Sequence, residues 1–256
     1  IRPGTHALTV RYWIKDYVTN VEGAITKTYP SFDYEKNDYY DMTADINVTD
    51  YDGSKYYQWD AQNNFWNEHE WNSANPLQPV LANGTYSKSG TNNFYNNDRT
   101  AGVNYAKYSC RMLPNVNQMA WYISNGDPRW DGEEIWTSMG HLHKGGMWLL
   151  KKSYIPQISE FKAPAPYNRD IRQDDFSLNK TVKQGTPTYK SSYFFLPALG
   201  YYAWGYFSGL GTSGHYWTST GHAEDSNWAY YLTFDSSTIT LTSDNSNAGR
   251  YVMTFQ

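Results

Sequence analysis

Side chains able to do chemistry are few and scattered along this chain. One cysteine, Cys110, occurs among 256 residues, so no intrachain disulfide and no cysteine-based zinc site can form. A cysteine acts as a nucleophile beside a base, and no histidine neighbours Cys110 in sequence. It reads as a small buried apolar residue. His141 and His143 are two apart and share a face on a strand. That spacing suits two ligands of a metal, but no third ligand is evident, and a polar loop pair is the simpler account. Glu68-His69-Glu70 looks like a metalloprotease fragment, yet Ser73 stands where the second histidine of His-Glu-x-x-His belongs. Asp127 and Asp131 flank Pro128, Arg129 and Trp130. Two such carboxylates would serve a glycosidase, and a turn closing the preceding helix is the plainer role. No cofactor and no metal is expected from any of these groups.

Composition narrows the partners. The formal net charge is −4, without the clustered basic face that DNA or RNA requires. No nucleic-acid partner is expected. No run of eighteen apolar residues exists, so no membrane span is expected. Charged residues make up 18% of the chain, below the usual ~25%, while aromatic residues also reach 18%, with 25 Tyr and 11 Trp. Tyr and Trp combine large area, few rotatable bonds and a polar tip, the combination that recognition surfaces use. Many of these rings are also expected to fill a β-rich core. The chain starts at Ile1 and reads as a trimmed part of something longer.

The elements that must position these residues follow from periodicity and turn chemistry. Residues 6–14 and 39–48 read as strands, separated by a polar stretch that carries Tyr29-Pro30. Together they make a β-rich N-terminal segment, 1–50. Asp52-Gly53 is a turn signal before a strand-like 55–60, and 61–105 reads as long ordered loops. The clearest helix is 116–124. Asn115 and Gln118 form a capping-box pattern, and Val116, Met119, Ala120 and Ile123 share one face. Asn125-Gly126 stops it. Residues 133–143 read as a second helix, 147–152 as a strand, and 153–190 as a long connection with a short helix over 170–176. From Tyr193 onward short strands alternate with Gly, Ser, Asn and Asp clusters, the pattern of an antiparallel meander.

Three stretches resemble a known family. They are MLPNVNQMAWYISNGDPRWDG at 112–132, WTSMGHLHKGGMWLLKKS at 136–153, and FFLPALGYYAWGYFSGLGTSGHYWTST at 194–220, continued by AYYLTF. Over most of 51–256 they are similar to C-type-lectin-fold domains on surface and pilus-tip proteins of gut Bacteroides-type bacteria. These include the variable proteins of diversity-generating retroelements, in the subclass of the fold shared with formylglycine-generating enzymes. The resemblance implies an α+β fold: a C-type lectin fold with a small twisted antiparallel sheet, two helices and long ordered loops over 51–256. Residues 1–50 would then be the end of a fimbrillin-like sandwich.

The resemblance also divides the C-terminal residues by role. Phe195, Leu196, Pro197, Leu199, Trp217, Leu232 and Phe234 fall at scaffold positions. A ligand-binding display surface falls to Tyr201, Tyr202, Trp204, Tyr206, Ser213, His215, His222, Asn227, Trp228, Asp244, Asn245 and Asn247. The implied protein is a cell-surface adhesin or receptor-binding module, not an enzyme. Its partner would be a protein or glycan on another cell, phage or host surface, with a pilus assembly as a further context. Departures from the wider fold matter as well. Trp71-Asn72-Ser73 lacks an acidic ligand, and Asn75-Pro76-Leu77 and Gln78-Pro79-Val80 each lack the second acceptor. A calcium-dependent sugar site of the vertebrate type is therefore not expected. One cysteine cannot supply the pair that formylglycine-generating enzymes use. Two other classes stay open: a carbohydrate-active enzyme, and a structural pilus subunit whose aromatic surface docks a neighbour.

Overall fold

The computed structural model describes residues 1–41, 46–79, 90–98, 104–203 and 206–256. Strand takes 41% of the chain and helical turns 7%, with one α-helix among the described residues. The expected α+β class with two helices is therefore overturned, and the protein is mostly β. The error lies at 133–143. Ile135, Met139 and Leu142 have helix-like spacing, but the segment is two strands, β4 (Arg129–Ser138) and β5 (His141–Leu150). Met139 and Gly140 between them have φ of 52° and 76°. Two successive positive φ values make the tight turn that matches strand twist and that no helix accommodates. The short helix expected over 170–176 is also absent, that stretch being turns and bends.

The chain divides into two compact units. The first holds Ile1–Tyr51 together with Ile135–His143, the outer part of the β4–β5 hairpin. Its main element is a ribbon of β1 (Gly4–Lys15) and β2 (Glu22–Tyr34), paired antiparallel from Lys15↔Glu22 to Gly4↔Tyr34. Strand alternation puts Leu8, Val10, Tyr12 and Ile14 on one face with Ile25 and Tyr29 opposite them. The polar look of 22–34 concealed β2. Pro30 has no N–H to give a ladder, and it is accommodated where the register shifts between His6 and Leu8. The strand expected at 39–48 is not seen over 39–41 or 46–48, and residues 42–45 lie outside those described. Asp16 ties the ribbon's turn to the hairpin tip. It accepts the N–H groups of Val18 and Leu142 at 2.7 and 2.9 Å, and meets His141 Nδ1 at 3.0 Å. The Leu142 and Val18 bonds hold its carboxyl far below the usual range.

The second unit holds Asp52–Glu134 and Lys144–Gln256. Its large sheet contains β6 (Leu178–Thr181), β9 (Leu199–Ala203), β10 (Tyr206–Leu210), β11 (Gly214–Gly221), β12 (Trp228–Phe234) and β13 (Thr238–Asn245). Their order is β10-β9-β11-β12-β13-β6. A short β14 (Arg250–Tyr251) joins β11 to β3 (Tyr56–Tyr57). A smaller sheet runs β7-β4-β5-β8, with β7 at Lys183–Gln184 and β8 at Tyr193–Pro197. The meander expected after Tyr193 holds for β11-β12-β13, while β9 meets β11 in parallel.

The helix α1 (Val116–Asn125) forms for the reason its sequence gives. Asn115 accepts from Gln118 N, and Gln118 accepts from Asn115 N, so the capping box is complete. Its buried Met119 and Ile123 lie in the core, and α1 packs on β13, β6 and β11. One face of the sheet contributes Tyr216, Leu232, Phe234, Ile239 and Leu241 to that core. Each such burial stabilises by about 1.5–3 kcal/mol before chain entropy is charged against it. The other face is covered at one end, where Trp59, Cys110 and Leu113 pack on Trp217, Ala229 and Ala248. The remainder of that face carries the candidate site.

Candidate functional site

Alternation along the strands defines the site. On β12, Leu232 and Phe234 point into the core, so Tyr231 and Thr233 point the other way. Register carries that side outward: Tyr231 pairs with Trp217 and Thr242, and Thr233 with His215 and Thr240. Three rings then lie in a row across β9, β11 and β12. Tyr201 and His215 have centroids 4.1 Å apart, and His215 and Tyr231 are stacked at 6.1 Å. All three are half-buried.

A buried cation supports this row. Arg250 on β14 is 1% exposed. Its guanidinium carbon lies 3.7 Å from the Tyr231 ring centre, 4.4 Å from Trp217 and 6.0 Å from Tyr201. Asp244 accepts from its Nη2, and the Asn245 carbonyl accepts from Nη1 at 3.4 Å. A planar guanidinium suits such stacking better than an ammonium would. His215 Nε2 meets Ser213 Oγ at 3.1 Å, while its Nδ1 and the Nε of Arg250 are buried without a protein partner. Burial, reinforced by Arg250, pushes the His215 imidazole down to about 3, so the ring is neutral at physiological pH. Burial also raises the Tyr231 phenol.

The twelve display positions expected from sequence separate into groups. Tyr206 is 71% exposed, and Trp228 and Asn227 are exposed. Tyr201, Ser213, His215, Asp244, Asn245 and Asn247 are half-buried. Trp228 pairs with Asn245 across β12 and β13, and alternation turns both to the side of Tyr230 and Leu232, away from the ring row. Two further positions need correction. Tyr202 is fully buried, stacked on Phe207 at 4.4 Å and packed against Tyr56, Phe65 and Trp66. It faces the core because its neighbour Tyr201 faces out, and burial raises its phenol. His222 turns inward, its side chain 10% exposed. Its Nδ1 accepts the N–H groups of Glu224 and Asp225, which shapes the 222–227 turn. Trp204 lies outside the described residues. The seven scaffold positions are all buried.

Sequence reading missed Tyr231, Thr233, Thr242, Arg250 and Tyr95. Period-two alternation in AYYLTF and TITLT would have found the first three. Nothing local marks Arg250. Tyr95 joins from a distant loop, its hydroxyl donating to Asn227 Oδ1 at 2.7 Å.

The other candidate chemistries take structural places. Cys110 is fully buried, and burial pushes its thiol well up. Burial works to raise Asp127, but hydrogen bonds from Lys183, Tyr193 and Arg129 outweigh it and hold the carboxyl far below its usual range. Asp131 accepts from Glu133 N, Glu134 N, Trp148 Nε1 and Thr186 Oγ1. His143 lies against Trp136 at 4.8 Å, and burial lowers it. His69 Nδ1 meets the Asn75 carbonyl at 2.9 Å. Among the described residues no three His, Cys, Asp or Glu side chains gather as a metal-holding group, and no helix is long and apolar enough to cross a membrane. No family model, curated protein or solved structure matches the chain.

Proposed function

We propose that this chain is a ligand-binding surface protein, an adhesin or receptor-binding module. Its ligand would be a protein or glycan on another surface, lying across the Tyr201–His215–Tyr231 row. The observation behind this reading is that row itself: partly buried rings braced by a buried arginine, with exposed Tyr206 on the same side of the sheet. Rigid amphipathic rings give contact area at low entropic cost, and the neighbouring Thr233, Thr240 and Thr242 supply adaptable hydrogen bonds. The resemblance to retroelement-diversified surface proteins points the same way, and a cell-surface location goes with it. The test is an array of glycans and purified surface proteins. Tyr206→Ala combined with Tyr201→Ala should lower binding to any hit by at least about a hundredfold, as loss of two interface anchors does, with the fold retained by circular dichroism. Hits that bind the double variant as tightly would sink the reading. Diversification has its own check in the flanking DNA: a reverse transcriptase gene and an adenine-differing repeat of the C-terminal coding region.

A further inference from the structure

A second site, beside this face and independent of the reading above, is built around a buried carboxylate. Residues 58–63, 91–98 and 107–110 converge on Asp60, which is fully buried and has a φ of 54°. Its Oδ1 accepts the N–H groups of Tyr108 and Cys110 at 2.7 and 3.2 Å. Its Oδ2 accepts Lys107 N and the Asn96 side-chain amide at 2.6 and 2.8 Å. Further bonds lace the loops together: Asn63 N to Asn92 O, Asn96 N to Trp59 O, and Tyr95 N to Gln58 Oε1. The loops are thus fixed before a ligand arrives, which removes most of the ordering cost of binding.

Between them lies an open hollow of about 190 Å³. Drug-sized pockets begin near ~300 Å³, so this one has room for a single ring. Its lining residues include the aromatic Phe94, Tyr95 and Tyr108 and the exposed amides Gln62, Asn92 and Asn97. Planar amides both donate and accept, matching adjacent hydroxyls that also do both. Aromatic faces suit the C–H side of a pyranose ring. The Asp60 carboxylate in the lining disfavours an anionic ligand, while that of Asp98 is paired with Lys107. A metal ion fits poorly, because each Asp60 oxygen is already occupied by two N–H donors that a cation would have to displace. We infer that this hollow binds one neutral sugar ring, a hexose or N-acetylhexosamine unit of a glycan.

Saturation-transfer NMR with methyl glycosides of glucose, galactose, mannose and N-acetylglucosamine tests this, with glucuronic acid as the anionic control. At least one methyl glycoside should bind and glucuronic acid should not. Tyr108→Ala, and separately Asn92→Ala with Asn97→Ala, should weaken that binding about tenfold. These are exposed positions, and an unchanged melting temperature verifies the fold. Tyr206→Ala, on the display face, should leave it unaltered. Failure of every methyl glycoside to bind the folded protein overturns the inference. So does binding that survives the Tyr108 and Asn92/Asn97 changes, or that is lost with Tyr206→Ala, which would move the sugar to the display face.

Discussion

His215 and Arg250 share one small volume, and the two solve their burial differently. Arg250 pairs with Asp244 and stacks among rings, whereas His215 gives up its proton. The folded-state value near 3 lies below the ordinary 6.5 of the unfolded chain. The unfolded state therefore takes up the proton first as pH falls. The stability His215 contributes is complete above pH 6.5 and is lost progressively towards pH 3. Between pH 6.5 and 5 the carboxylates held low, such as Asp16 and Asp127, are ionised in the folded state and contribute little slope. In that window His215 should contribute a slope of up to about 1.4 kcal/mol per pH unit, in addition to that of His143, which burial also lowers. Urea unfolding at several pH values, on the protein and on His215→Gln, reads this directly. The variant should lose that slope whatever its absolute stability. Equal slopes would show that His215 titrates alike in the folded and unfolded chain, and burial would then not lower it.

At the scale of elements, α1 is the clearest case of a local signal agreeing with tertiary packing. Asn115 caps the helix and also donates its side-chain amide to the Glu160 carbonyl at 2.8 Å. Asn115→Ala removes both bonds, and should destabilise by about 1–2 kcal/mol without changing the sheet's near-ultraviolet signature. A thermal or urea midpoint unaffected by the change would contradict the cap. This helix was legible because capping and an apolar stripe both lie within ten residues. The hairpin β4–β5 was not legible, because its deciding feature is the left-handed backbone at Met139, where nothing in the side chain announces it. β2 was hidden by a proline that the bulge tolerates. On the display face the strands were legible and the side was not. Adjacent residues of a strand face opposite ways, so Tyr201 and Tyr202 cannot both be displayed. The strand parity was left unused there. Arg250 and Tyr95 reach the site through contacts distant in sequence, which no local pattern encodes.

For the molecule as a whole, Cys110 reports on cooperativity. Its partners in the core cluster come from far apart in the chain: Trp59, Leu113, Trp217, Ala229 and Ala248. It also accepts the Asp60 N–H at 3.2 Å, at the junction that builds the sugar hollow. Exposing the sulfur therefore requires the loops to leave the sheet. Local fraying at a strand edge does not reach it. Burial raises the thiol as well, so even transient access meets little thiolate. A domain of ordinary stability, near 5 kcal/mol or more, opens globally less than about once in 10³ molecules. Labelling of the native protein by an aromatic disulfide at pH 8 should accordingly be slower than labelling of the urea-unfolded chain by about 10³ or more. Across a urea series the labelling rate should rise through the same transition as tryptophan fluorescence, to which Trp59 and Trp217 contribute from this cluster. A methyl glycoside bound in the hollow should slow labelling further, since it binds only the closed loops. Rapid labelling in native buffer would mean that the loops open without the sheet, and the preorganisation of the hollow would fall with it.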